Sequence, residues 1–247
     1  MRITAVSYLN TLPFLHGIRC SGLLEEHRME LAVPSECARR LRDGETDLAL
    51  VPVGAVPEMH GARIVTRWCL GADGPVGSVF LVSALPPADL QRVFLDTDSR
   101  TSVLLARLLL AERWLARPEL VRGLDGFRPE EPGADGAVVI GDKAFAFIGA
   151  MPRVFDLSSE WKTHTGLPFV FAVWMAADHV APGFLEVFDK ALEYGVRHIP
   201  EALKGATGLQ RFPDPLGYLT RSISYPFGPD KQKALEAFLY RAGALKD

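Results

Sequence analysis

Three polar turns carry the residue types that could do chemistry. The first is Ser7-Tyr8-Leu9-Asn10-Thr11-Leu12-Pro13, which follows the strand-like run Ile3-Thr4-Ala5-Val6. The second is Asp96-Thr97-Asp98-Ser99-Arg100-Thr101-Ser102, between Val93-Phe94-Leu95 and a strongly helical segment. The third is Gly141-Asp142, directly after Ala137-Val138-Val139-Ile140. Each stands at the carboxyl end of an apolar strand, where ligands bind in open α/β sheets. Ser99, Thr101 and Ser102 sit at a helix start, where free N–H groups and the helix dipole favour a carboxylate or phosphate. Plain N-capping is the competing reading, because Ser and Thr are usual caps. Three hydroxyls plus Arg100 in four residues exceed what one cap needs, which favours anion binding. Asn10 has a similar alternative as a turn former, Ser78 as a small strand residue, and Asp142 as an N-cap.

Other chemistries lack their residues. The six histidines (16, 27, 60, 164, 179, 198) show no H-x-H, H-E-x-x-H or H-x₃-H spacing, so a metal site is not expected. G-x-S-x-G and the P-loop pattern are missing, and no G-x-G-x-x-G follows the first strand. Cys20, Cys37 and Cys69 are an odd number without C-x-x-C spacing, which suits a reducing compartment. The candidate site is therefore neutral and polar: hydroxyls, one amide and helix N-termini.

The elements that must position these turns follow from the apolar pattern. Strands are expected at 2–6, 29–33, 47–53, 63–70, 77–83, 93–95, 119–121, 137–140, 155–157 and 168–176. Helices are expected at 34–43, from about 102 to 115, beyond Asp142, at 158–164, and at 183–198, 201–207, 214–222 and 230–244. The first 50 residues read β-α-β-α-β, the pattern of a doubly wound sheet. Residues 123–136, rich in Gly, Pro and charge, read as loop. The expected architecture is two α/β lobes with a ligand cleft between them, the layout of the type II periplasmic-binding-protein fold. Residues 1–76 with the helical tail 176–247 form one lobe and 77–175 the other, with the strands near 77–83 and 168–176 crossing between them.

Composition bounds the partners. The chain has 247 residues, 48% apolar and 23% charged, with a net charge of −3. No basic excess is available for a nucleic-acid surface. No run approaches the ~18 apolar residues of a membrane span, and no secretory leader is visible after Met1-Arg2. A cytoplasmic protein with a small-molecule ligand is expected; the oligomeric state stays open.

Five segments in order resemble one family. Ser7 to Pro13, Asp73-Gly74-Pro75-Val76-Gly77-Ser78, Asp96 to Ser102, Ile140-Gly141-Asp142, and Thr165-Gly166-Leu167-Pro168-Phe169-Val170-Phe171-Ala172-Val173-Trp174 are similar to the chorismate dehydratase (MqnA) family of menaquinone biosynthesis by the futalosine route. The tail segment Tyr218-Leu219-Thr220-Arg221-Ser222-Ile223-Ser224-Tyr225 is similar too. The resemblance implies dehydration of chorismate, a dianion, to 3-[(1-carboxyvinyl)oxy]benzoate without metal or organic cofactor. It implies Asn10 and Ser78 as catalytic residues. Ser99, Arg100, Thr101, Ser102, Gly141 and Asp142 would bind substrate. Asp98 departs from the pattern: a carboxylate beside an anion site must point away or pair with Arg100. The competing readings are a non-catalytic binding module for an aromatic carboxylate and the dihydroxynaphthoate synthase of the same fold. Prephenate dehydratase is discounted, because Thr66-Arg67-Trp68 only approaches its Thr-Arg-Phe motif.

Overall fold

A computed structural model describes residues 1–147 and 149–245. The chain enters through β1 (Arg2–Val6), whose residues 3–6 are buried. A 3₁₀ turn, Leu9–Thr11, runs straight into α1 (Leu12–Cys20), where Pro13 occupies the first turn and costs no hydrogen bond. Next come β2 (Arg28–Ala32), α2 (Pro34–Arg42) and β3 (Leu48–Pro52), the last buried along its whole length. A 3₁₀ stretch (Val53–Glu58) leads to the long β4 (Ala62–Ala72). The second unit holds β5 (Val79–Ser83), β6 (Arg92–Leu95), α3 (Arg100–Glu112), β7 (Glu119–Arg122), β8 (Asp135–Ile140), β9 (Arg153–Asp156) and α4 (Leu157–Thr165). β10 (Phe169–Ala177) then opens the tail of α5 (Pro182–Arg197), α6 (Ile199–Lys204), α7 (Pro215–Gly217), a π-helical turn (Tyr218–Ser222), β11 (Ser224–Pro226) and α8 (Pro229–Ala244).

Two sheets result. The six-stranded sheet runs β11-β4-β10-β3-β1-β2 and the five-stranded sheet β7-β6-β8-β5-β9. Each has a parallel core of three strands: β2, β1 and β3 in one, β7, β6 and β8 in the other. Each then takes one reversed strand, β10 or β5, antiparallel to both neighbours. The reversed strand is the one that arrives from the other sheet: β5 follows β4 through 73–78, and β10 follows α4 through 166–168. This is the two-lobed binding-protein architecture expected from the sequence.

Three expectations need correction. The strands near 77–83 and 168–176 do not themselves cross between sheets, because each pairs along its length inside one sheet. The short turns before them make the crossing. β10 belongs to the six-stranded sheet, so a boundary at 175/176 would cut that sheet through a hydrogen-bonded strand. The helix expected beyond Asp142 is a 3₁₀ stretch, Gly141–Phe147. β11 was not expected; it extends the first sheet from within the tail.

Strand periodicity places two cores. Along β5, Val79 and Leu81 face the main core, while Phe80 and Val82 face a smaller one with Phe94, Phe127 and Val139. The main core is continuous from β1 and β3 through β10 to α3, Trp161 and α8. Trp161, Phe169 and Phe238 meet edge-on within it, with centroids 5.1–6.0 Å apart.

Candidate active site

The first turn, the hydroxyl turn and the Gly141 turn meet at one cavity between the sheets. Asn10, Tyr8, Ser78, Ser99, Ser102 and Gly141 line it, with Pro34, Phe171, Gly71 and apolar side chains closing the walls. Free room inside is about 50 Å³. Among the described residues, no charged side chain lines this cavity.

Each lining group is held by local chemistry. Ser99 caps α3: its hydroxyl accepts from the Ser102 N–H and lies 3.3 Å from the Ser102 hydroxyl, which donates to it. Residues three apart share a helix face, so both hydroxyls reach the same wall. Ser78 is held through its neighbour. The Asp156 carboxylate caps α4 through the N–H groups of Ser158 and Ser159, and accepts from Gly77 N–H at 2.7 Å. Burial raises the pKa of Asp156, against the stabilising backbone donors. Gly77 has a φ of 73° and Gly141 a φ of 64°, left-handed conformations that favour glycine. A Cβ on Gly141 would also stand 2.9 Å from the Tyr8 ring.

Asn10 is half-buried at the start of α1. Its Oδ1 accepts from the Thr11 hydroxyl at 3.3 Å, and its backbone carbonyl accepts from the Tyr225 hydroxyl at 3.2 Å. Tyr218 supplies a contact not expected from the sequence. Its hydroxyl donates to Ser78 Oγ at 2.9 Å. Burial pushes the Tyr218 phenol well above its ordinary range.

Three expected binding residues stand elsewhere. Arg100 is exposed and its guanidinium pairs with Glu58 at 2.7 Å, outside the cavity. One residue round the helix from Ser99, it faces away from the shared hydroxyl wall. Thr101 is fully buried. Its hydroxyl accepts from Gly54 N–H (3.0 Å) and donates to the Phe171 carbonyl (3.2 Å), so it ties α3 to the six-stranded sheet. Asp142 accepts from Leu9 N–H at 3.1 Å and lines the neighbouring mouth with Asp98 and Lys143. Asp98 pairs not with Arg100 but with the Lys143 ammonium at 2.7 Å, and the Tyr8 hydroxyl lies 3.5 Å from it. Lys143 also stands 2.7 Å from buried Asp96. The carboxylates near the cleft are thus engaged at its rim.

One buried cation stands behind the wall. Lys231, 5% exposed, donates to the Ser224 hydroxyl (2.8 Å) and the Pro226 carbonyl (2.8 Å). A Cβ on cavity-lining Gly71 would lie 3.2 Å from its nitrogen. Burial lowers its pKa. Among the described residues no cluster of three or more His, Cys, Asp or Glu could hold a metal, and no helix is long and apolar enough to cross a membrane.

Chemically the cavity offers fixed neutral donors without a protein carboxylate or imidazole inside. It can hold an anion and stabilise charge that develops on it. The residues that sequence reading missed as site members, Tyr218 and Asp156, are distant in the chain from Ser78. Only the family-like tail segment pointed to Tyr218.

Comparison with known proteins agrees with this architecture. A structure from Archaeoglobus fulgidus superposes with a TM-score of 0.77 at 16% identity, covering 98% of this chain and 96% of the other. A Candida albicans protein described as having the generic periplasmic-binding-protein fold gives 0.67 at 12% identity, over 100% and 91%. The alkanesulfonate-binding protein of Xanthomonas axonopodis, bound to MOPS, gives 0.67 at 14%, over 100% and 94%. In sequence, the chain is 35% identical over 187 residues to a chorismate dehydratase of Thermus thermophilus, an alignment covering 68% of this chain and 66% of that protein. The family model described as menaquinone biosynthesis matches residues 1–244. The chain therefore belongs to the menaquinone-biosynthesis family.

Proposed function

We propose that the protein is a chorismate dehydratase: a hydro-lyase that eliminates water from chorismate to give 3-[(1-carboxyvinyl)oxy]benzoate, in the first step of the futalosine route to menaquinone. The observation that carries this reading is the cavity itself. It is lined by hydroxyls, an amide and a helix N-terminus, with no charged side chain among the described residues. Such a site suits a dianion that brings its own reactivity. The C–H bond beside the enolpyruvyl ether breaks, and its electron pair enters the ring. Hydroxide leaves from the neighbouring carbon and takes up a proton to become water. The substrate's side-chain carboxylate accepts the ring proton, so no protein base is needed inside the cavity. Aromatisation supplies the driving force.

The residues take definite roles in this reading. Ser99, Ser102 and the start of α3 hold a carboxylate. The Lys231 ammonium behind Gly71 adds positive potential that buried geometry leaves little screened. Asn10 and Ser78 orient the ring and stabilise the leaving hydroxyl or the developing charge, work worth several kcal/mol. Asp142 and Asp98 serve closure rather than binding. The two sheets are lobes that open about 73–78 and 166–168, since small-molecule pockets usually need ~300 Å³ or more. The unpaired thiols Cys20, Cys37 and Cys69 support a cytoplasmic location.

Incubation of the purified protein with chorismate alone tests the proposal. A product lighter by one water, seen by mass spectrometry, is expected. Tight binding of an aromatic carboxylate without turnover would instead make the protein a binding module.

A further inference from the structure

A tyrosine from the tail contacts Ser78, one of the residues given catalytic roles above. Tyr218 is 7% exposed, and its ring is held edge-on by Phe145, with centroids 5.4 Å apart at 89°. Its hydroxyl donates to Ser78 Oγ, 140 residues away in the chain. Its backbone opens a π-helical turn, Tyr218–Ser222, a widened geometry frequent at functional sites.

Hydrogen-bond bookkeeping gives this contact a direction. The Tyr218 hydroxyl has a single proton to place. A phenol is a stronger acid than an alkyl hydroxyl and is the better donor of the two, so its proton goes to Ser78 Oγ, 2.9 Å away. Ser78 is 1% exposed and lines the cavity, and no other acceptor for its hydroxyl is found among the described residues. Its own O–H is then left to point into the cavity. Two donors then stand in series, Tyr218 O–H and Ser78 O–H, the first strengthening the second.

We propose that Tyr218 is a positioning residue of this site: by donating to Ser78 Oγ it turns the Ser78 hydroxyl proton toward the oxygen that leaves the substrate. The inference rests on the dehydratase reading. Tyr218 exchanges no proton with substrate and stays protonated throughout. Its hydroxyl, not its ring, is what the site uses. Without it the Ser78 hydroxyl can rotate, and its proton is no longer directed.

A double-mutant cycle tests this. Tyr218→Phe keeps the ring and removes the donor; kcat falls about tenfold while KM stays within about twofold. Ser78→Ala lowers kcat further. Adding Tyr218→Phe to Ser78→Ala then has no additional effect, because the hydroxyl acts only through Ser78. A full tenfold loss in the Ser78→Ala background, or an unchanged kcat in Tyr218→Phe alone, overturns the role. Should the Phe variant not fold, 3,5-difluorotyrosine at 218 preserves the shape while acidifying the phenol. Its ionised form cannot donate, so the alkaline limb of the kcat profile moves to lower pH; an unmoved limb overturns the proposal. Wild-type protein without any turnover of chorismate would overturn the dehydratase reading first, and this role with it.

Discussion

Among single residues, Asn10 carries the most chemistry for its size. Its amide is fixed by Thr11 and stands at the neutral wall of the cavity. Asn10→Asp places a negative charge against a dianion and removes a donor, and turnover should fall about 100-fold or more. Steady-state loss of chorismate checks this, and near-wild-type rates would remove Asn10 from the site. The phenols around it make a second prediction. Burial, and for Tyr8 also the nearby Asp98 carboxylate, raises Tyr8, Tyr218 and Tyr225 above their ordinary pKa of 10.0. The folded state thus holds these protons more tightly than the unfolded chain does. Their contribution to stability is complete below about pH 10 and is lost as pH rises beyond it. In an alkaline titration followed by phenolate absorbance and circular dichroism, these three of the five tyrosines should ionise only as the fold is lost. Reversible ionisation of all five with native dichroism would contradict the assignment.

At the scale of elements, the position of Asn10 depends on how closely α1 meets α5. A Cβ on Gly195 would lie 1.8 Å from the Pro13 carbonyl oxygen, and one on Gly17 1.9 Å from that of Ala191. The two backbones touch, and neither can retreat without moving the first turn of α1. Gly195→Ala should therefore cost ~3 kcal/mol or more. Chemical denaturation measures the loss, and a variant as stable as wild type would show that α1 can slide. Thr101 has the matching role for the second turn. Its two backbone hydrogen bonds hold α3 against Gly54 and Phe171, so Ser99 and Ser102 face a fixed wall.

For the whole molecule, the question is what closes the cleft. Leu9 N–H donates to Asp142, Ser35 N–H donates to the Asp98 carbonyl at 3.1 Å, and Tyr8 packs on Gly141. All three contacts join the two sheets at one rim. Asp142→Ala removes an acceptor charged in its favour, so the closed arrangement weakens by ~1.4 kcal/mol and KM rises about tenfold with kcat less affected. Asp142→Asn retains an acceptor oxygen and should lie between. Small-angle scattering should report a larger radius for the Ala variant. An unchanged radius and KM would take Asp142 out of the closure contacts.

The sequence by itself determined the local pattern: apolar strands of period two or continuous burial, Pro at helix starts, and polar turns at strand ends. These are set by neighbours along the chain, so the α/β class, the two lobes and the membership of Asn10, Ser78, Ser99, Ser102 and Gly141 in one cavity were legible from spacing and resemblance. Only the tertiary structure decided which way each side chain of the second turn points. Ser99 and Ser102 share a helix face and reach the cavity, while Thr101 turns to Gly54 and Phe171 and Arg100 to Glu58. Helical spacing pairs Ser99 with Ser102, but nothing local says which face of α3 meets the cavity. Asp98 likewise found its cation in Lys143, 45 residues on, rather than in its neighbour Arg100. Tyr218 and Ser78 are 140 residues apart, and no local rule links them. Their contact exists because the tail returns to the edge of the six-stranded sheet, where β11 pairs with β4 just after the π-helical turn.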